Sequence, residues 1–315
     1  MDAILNSVLP VFGIIALGFL FAKLGLVSEG TARGLTQFVF MLAIPALLFR
    51  TVALMPPQEA APWRLWISVF GGLAIVWAVT ALIAQRTESL SASGGAAASM
   101  ATSFGNVALL GTPLVLAHYG ESAAVPAGLI LSIHAAILWL AATLHREFAV
   151  HADQVLWRKI GRELLITLAT NAIIIALVAA GIWRLFGLGL HPIPDRMLEM
   201  LSDASIPSAL FALGLSLATY SLRGQWGGVA ILLVLKMAIA PLLVYGLLRV
   251  LGPIPDLWMK VALVFAAMPT GANAFLFAHK NEESVAPISA SIALGTALAA
   301  ITASALLYLL DHGMI

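Results

Sequence analysis

The chain has no cysteine and very little charge. The lack of cysteine excludes a disulfide framework and a thiolate metal site. Of the 315 residues, 10% are charged and 61% are apolar, whereas a soluble domain carries about 25% charged residues. A formal net charge of +1 gives no basic surface for nucleic acid. The composition therefore predicts an all-α polytopic protein of the lipid bilayer with no nucleic-acid partner.

Apolar runs long enough to cross a bilayer, about 20 residues each, recur along the chain. The first lacks a basic leading segment and a cleavage site, which favours a retained helix over a signal peptide. Ten transmembrane helices are predicted, at 5–21, 34–54, 65–84, 96–117, 125–144, 164–183, 205–220, 228–251, 257–278 and 287–310.

The ten predicted helices fall into two halves around one polar connection. Residues 1–145 hold five of them, 146–163 form a central cytoplasmic loop, and 164–315 hold the other five. An odd number of helices per half inverts the second half in the membrane, which gives an inverted repeat. The hexamer IPALLF at 44–49 resembles IPSALF at 206–211, which supports this interpretation.

Helix-breaking residues interrupt the fourth and ninth apolar runs. Residues 103–106 read Ser-Phe-Gly-Asn, and residues 268–273 read Met-Pro-Thr-Gly-Ala-Asn. Glycine and proline both favour local unwinding. An unwound segment persists in a membrane only where it lines a cavity, and paired breaks in two halves indicate a transporter's binding site. We therefore expect helices 4 and 9 to cross at mid-membrane.

The two breaks supply the groups that an organic anion needs. Unwinding exposes half-helix N-termini, whose N–H groups and positive dipole ends attract anions. Amide and hydroxyl side chains lie beside them. The predicted substrate-binding residues are Ser103, Gly105, Asn106, Pro269, Thr270, Gly271 and Asn273.

Two ionisable residues lie deep inside predicted helices. Lys236 is either a counter-charge for the substrate or a cation that snorkels or binds freed carbonyls. His134 is either a neutral core side chain or a proton-coupling group. No cofactor or metal is predicted. Coupling to Na⁺, coupling to H⁺ and uniport all remain open.

Other functional classes fit the residues less well. An intramembrane protease needs a His-Glu-x-x-His cluster or two embedded aspartates, and the predicted spans have neither. Rings of like residues, expected of a channel filter, are not evident. A sodium/proton antiporter would normally carry aspartates where this chain has Asn106 and Asn273. An enzyme is therefore not expected, while a bile-acid-type sodium-coupled symporter and, more remotely, a channel remain alternatives.

The motifs around both breaks resemble the auxin efflux carrier family, which includes plant PIN-type transporters and bacterial carriers. Residues 105–113, GNVALLGTP, look like its Asn-x-x-x-x-Gly-x-Pro motif. Residues 268–278, MPTGANAFLFA, look like its Pro-x-Gly-x-x-x-Phe-x-Phe-Ala motif. Lys236 followed by Pro241 is similar to its eighth span.

The resemblance implies a fold like that of bile-acid sodium symporters and an elevator-like mechanism. Helices 1, 2, 6 and 7 would form a scaffold that dimerises, and helices 3–5 and 8–10 a transport domain. Gly105 replaces a proline of the plant carriers, and the Asp-x-x-x-Lys pair near their third span is absent. Auxin is therefore not the expected substrate. The compact form resembles bacterial members associated with malonate and other small carboxylates.

The distribution of Lys and Arg gives a small bias for orientation. These residues are somewhat more frequent in the loops that are cytoplasmic when the N-terminus lies outside, and positive charge favours the cytoplasmic side. We expect a bacterial inner-membrane protein with both termini on the periplasmic side.

Overall fold

The structure is a computed structural model that describes residues 2–54, 62–91, 95–150, 161–162, 165–166, 169–221 and 226–315. Among these residues the regular elements are all helical. The principal helices are α1 Asp2–Lys23, α2 Glu29–Phe38, α3 Ile44–Leu54, α4 Trp63–Ala84, α5 Ala96–Ser103, α6 Thr112–Tyr119, α7 Ala124–Val150, α8 Ala172–Leu185, α9 Pro192–Leu217, α10 Trp226–Val234, α11 Ala240–Val250, α12 Asp256–Ala267, α13 Ala272–Asn281 and α14 Val285–Asp311.

Within the described residues, seven helical segments are long and apolar enough to cross a membrane. They correspond to the predicted spans 1, 2, 3, 5, 7, 8 and 10. The predicted spans 4 and 9 each consist of two shorter helices, and α8 lies in the sixth. The all-helical membrane architecture agrees with the sequence, while the ten-span inverted repeat stays a prediction.

The chain divides into two compact units. Unit 1 consists of Met1–Ala61, Ala108–Ser132 and Leu168–Thr219, and unit 2 consists of Pro62–Val107, Ile133–Thr167 and Tyr220–Ile315. The helix α7 begins in unit 1 and continues in unit 2.

Two glycines allow close helix packing in unit 1. A Cβ atom on Gly18 of α1 would lie 2.4 Å from the Phe211 carbonyl oxygen of α9, and one on Gly214 would lie 2.1 Å from the Ile15 carbonyl oxygen. Side chains there would clash with backbone, so only glycine lets the two helices approach this closely. Small residues serve the same purpose in many membrane helix pairs.

The helix of the predicted seventh span begins earlier than we predicted from the sequence. The predicted start was residue 205, whereas α9 begins at Pro192 and contains Asp195, Glu199 and Asp203. Arg50 of α3 lies 2.7 Å from Asp195 and 3.8 Å from Glu199. These ion pairs reduce the cost of placing charged residues on this helix. The sequence pattern alone assigned residues 192–204 to a loop.

The helix of the predicted fifth span also extends beyond its predicted end at residue 144, because α7 continues to Val150. Residues 146–150, expected in the central loop, are therefore helical. Arg146 on this extension lies 3.0 Å from Glu283, whose side chain is 7% exposed. Residues 151–160 of the expected loop lie outside the described residues.

Three π-helical turns each precede a proline in the described part of the chain. They are Val39–Ala43 before Pro45, Val107–Gly111 before Pro113, and Leu235–Ile239 before Pro241. Proline lacks an N–H and its ring clashes with the carbonyl four residues earlier. A wider turn gives that ring room. Such turns occur frequently at functional sites, and the third one contains Lys236.

Candidate functional site

The two helix breaks meet within unit 2. The chain is extended at Gly105 and Thr270, which form an isolated antiparallel bridge. The Asn106 N–H donates to the Pro269 carbonyl at 2.8 Å, and the Gly271 N–H donates to the Phe104 carbonyl at 2.8 Å. Four backbone groups freed by unwinding therefore pair with one another, as the cost of unpaired groups in a membrane requires.

The hydroxyl groups around the breaks hold this arrangement together. The Thr270 hydroxyl donates to the Ala101 carbonyl at 2.9 Å, and the Ser103 hydroxyl donates to the Leu73 carbonyl of α4 at 3.2 Å. Both side chains are buried. Because each hydroxyl uses its hydrogen on a carbonyl, neither has a donor left for an anion.

Asn106 differs from these hydroxyl residues. Its side chain is buried, with the residue 6% exposed, and its backbone N–H pairs with Pro269. Within the described part of the chain, its side-chain amide makes no hydrogen bond. Its amide atoms are not among the fully buried polar atoms that lack a partner, so the Asn106 amide keeps some exposed surface and has unused hydrogen-bonding capacity for a ligand.

The half-helix α13 begins at the break with unused donors. Its N-cap residue Gly271 provides no side-chain cap. The N–H groups of Ala272 and Asn273 make no backbone hydrogen bond to any described residue. These N–H groups carry the positive end of the helix dipole, which favours a negatively charged ligand.

Lys236 brings the ionisable amino group of its side chain to the same region. The residue is 1% exposed and its ammonium donates to the Ala266 carbonyl at 2.7 Å. No described carboxylate lies within ion-pair distance of it. A Cβ atom on Gly105 would lie 3.3 Å from the Lys236 Nζ atom, so the glycine leaves room for the ammonium beside the bridge.

His134 of α7 lies at the same bridge. It is 3% exposed, and its ring centroid is 4.8 Å from that of Phe104 and 6.2 Å from that of Phe70. The Gly105 backbone lies beside the ring. Neither ring nitrogen makes a hydrogen bond of good geometry with a described residue, so a neutral His134 has a donor and an acceptor to spare.

All nine residues singled out from the sequence belong to unit 2, but they differ in what their groups can do. Asn106, Lys236, His134 and the first turn of α13 have free donors, whereas Ser103 and Thr270 do not. The sequence did not predict the Ala266 carbonyl or the Phe70 and Phe104 rings as neighbours. Ala266 lies in the last turn before Pro269, a position where free carbonyls are expected; the ring contacts leave no sequence signal. The described residues contain no group of His, Asp and Glu suited to a metal ion.

Comparison with known proteins identifies the family. The family described as "Membrane transport protein" matches residues 3–307. The chain belongs to this family. A protein of Rhizobium meliloti named "Putative malonate transporter" is 30% identical, over 99% of this chain and 98% of its own length. Auxin efflux carrier component 8 of Arabidopsis thaliana is 24% identical over 98% of this chain and 97% of its own length, and an uncharacterized transporter of Methanocaldococcus jannaschii is 23% identical over 93% and 94%.

These matches confirm the resemblance to auxin efflux carriers that the two break motifs indicated. The protein is an integral membrane transporter of that family, with several apolar helices. The relatives are named as transporters and not as enzymes.

Proposed function

We propose that this transporter moves a small carboxylate across the bacterial inner membrane and binds it where the two helix breaks meet. The observation that carries the proposal is a buried lysine without an acidic partner among the described residues, beside unused amide donors. Lys236 supplies the charge, and Asn106 and the first turn of α13 supply the donors. An isolated charge inside a membrane is costly. A bound carboxylate offsets that cost and accepts hydrogen bonds from the free N–H groups.

A short dicarboxylate of the malonate type fits these groups best. Lys236 and His134 both lie next to Gly105, so two carboxylates separated by one or two carbons can each meet a donor. The ammonium has three N–H groups and uses one on Ala266. The name of the Rhizobium relative, which covers nearly the whole chain, supports the same substrate class.

Transport proceeds by elevator-like alternating access in this proposal. Unit 1 contains α1, α2, α3, α8 and α9, the helices expected to form a dimerising scaffold, and unit 2 contains α4, both helix breaks and α10–α14. The compactness of each unit supports a mechanism in which unit 2 moves as a body. Unit 1 also includes Ala108–Ser132, a segment that the expected division assigns to the transport domain. Both termini lie on the periplasmic side in this arrangement.

Counterflow in proteoliposomes tests the proposal. Vesicles containing the purified protein are loaded with unlabelled malonate, and uptake of labelled malonate from outside is followed. We expect saturable uptake that internal malonate accelerates. Acetate and succinate in the external buffer, tested as competitors, measure the preference for size and charge.

Two results would contradict the proposal. Uptake that neither saturates nor responds to internal substrate would indicate a channel. A complete lack of binding and uptake for mono- and dicarboxylates of two to five carbons would exclude a carboxylate carrier.

A further inference from the structure

The C-terminal ends of α5 and α12, the two half-helices that end at the breaks, are capped by different hydrogen-bond donors. At the end of α5, neutral groups donate: the Thr270 hydroxyl to the Ala101 carbonyl at 2.9 Å and the Gly271 N–H to the Phe104 carbonyl at 2.8 Å. At the end of α12, the donor is the charged Lys236, 2.7 Å from the Ala266 carbonyl. Only one of these helix ends is therefore bound by an ionisable side chain.

The end of α12 is a place where a cation is favoured. The last carbonyls of a helix carry the negative end of its dipole. In transporters with broken helices, such half-helix ends and unwound carbonyls coordinate the coupling Na⁺ or H⁺. Hard cations such as these prefer oxygen ligands. The Ala266 carbonyl is one of the carbonyls at the end of α12, and the Lys236 ammonium donates a hydrogen bond to it.

The local helix geometry places the Lys236 ammonium at the end of α12. The residue lies in the π-helical turn Leu235–Ile239, which widens the helix just before Pro241. Its side chain is fully buried, and the ammonium reaches the last turn of α12 close to Gly105. A lysine that only snorkelled would place its charge towards the membrane surface.

We propose that the Lys236 ammonium is a built-in substitute for a coupling cation, so that this carrier binds its anion without Na⁺. The ammonium binds the half-helix carbonyl on one side and offers its remaining N–H groups to the substrate on the other. A bound Na⁺ would need the same carbonyl and would be repelled by the attached charge. The link to the substrate rests on the proposed function, whereas occupation of a cation site by Lys236 does not.

A pair of lysine variants tests this inference without any carboxylate present. Lys236→Ala removes the ammonium and leaves space at the end of α12, while Lys236→Met fills the space with an apolar chain of similar length. Thermal melting of wild type and both variants is measured in choline, sodium and methylammonium chloride at equal ionic strength. We expect the wild type to melt at one temperature in all three salts. We expect sodium or methylammonium to raise the melting temperature of Lys236→Ala by several degrees and to leave Lys236→Met unchanged.

A wild-type protein whose melting or uptake rises with Na⁺ would overturn the inference. So would a Lys236→Ala variant that responds to small cations no more than Lys236→Met does. Should neither variant fold in any of the salts, uptake by the wild type in sodium against choline decides alone: equal rates support the inference, and sodium dependence overturns it. Cation rescue of Lys236→Ala in a protein that binds no carboxylate would refute the proposed substrate and leave this inference standing.

Discussion

The backbone and the side chain of Asn106 have different roles. The backbone N–H maintains the contact between the two breaks through Pro269, while the side-chain amide has no hydrogen-bond partner among the described residues. Removing the amide should therefore leave the fold intact and affect the ligand. This separation allows a clean test by substitution.

We predict that Asn106→Ala weakens carboxylate binding by about 1–3 kcal/mol, the scale of a lost partner in a buried site, with little change in melting temperature. Isothermal titration with malonate measures the affinity. Ser103→Ala is the matched control, because the Ser103 hydroxyl donates to the Leu73 carbonyl and should not contact the ligand. Equal affinities in the two variants would argue against a binding role for Asn106.

His134 has two buried ring nitrogens without a hydrogen bond of good geometry to any described residue. We predict that His134→Phe keeps or raises the melting temperature, since an apolar ring removes an unsatisfied polar group and suits the neighbouring Phe104 ring. Its affinity for malonate should fall more than its affinity for acetate, because a second carboxylate would lose its partner. A uniform change for both acids would indicate that His134 only packs the core.

At the scale of elements, the break between α12 and α13 depends on Pro269. Its missing N–H prevents the helix from continuing, and its carbonyl accepts from Asn106. We predict that Pro269→Ala lets the helix re-form and weakens malonate binding by about 1–3 kcal/mol.

Pro287→Ala provides the control for this substitution. Pro287 lies in the first turn of α14, where the missing N–H has no helical partner to lose. Titration of both variants with malonate should give a loss only for Pro269→Ala. An unchanged affinity there would mean that the break persists without the proline.

The crossing of α1 and α9 depends on glycine. A Cβ atom on Gly214 would lie 2.1 Å from the Ile15 carbonyl oxygen, whereas one on Gly13 of α1 would have no atom within 4 Å. We predict that Gly214→Ala destabilises the protein by about 1–3 kcal/mol through overpacking, and that Gly13→Ala does not. Thermal melting in detergent compares the two, and equal melting temperatures would contradict this packing.

The elements that the sequence predicted well are those with local causes. Gly105 and Pro269 interrupt their own helices, so both breaks were predicted from their residues, and their contact was expected. The early start of α9 was missed because Asp195 and Glu199 find their partner, Arg50, about 145 residues away in the chain. The Ala266 partner of Lys236 is likewise non-local, and the sequence could only propose freed carbonyls in general.

At the scale of the whole molecule, transport requires that the site between the breaks open to water and close around its ligand. The lack of cysteine makes this accessible to experiment, because any introduced cysteine is the only thiol in the protein. Ala272, in the first turn of α13, is partly exposed and small. A cysteine there changes little and reports on the proposed site directly.

The most direct test is therefore the rate at which a small, water-soluble thiol reagent labels Ala272→Cys with and without malonate. Glu88→Cys, at an exposed position in the short helix Glu88–Leu90, is the control. If a carboxylate binds between the breaks, malonate slows labelling of Ala272→Cys in proportion to its occupancy and leaves Glu88→Cys unchanged. Equal labelling rates at Ala272→Cys with and without saturating malonate, or any other small carboxylate tested, would contradict a binding site at the crossing.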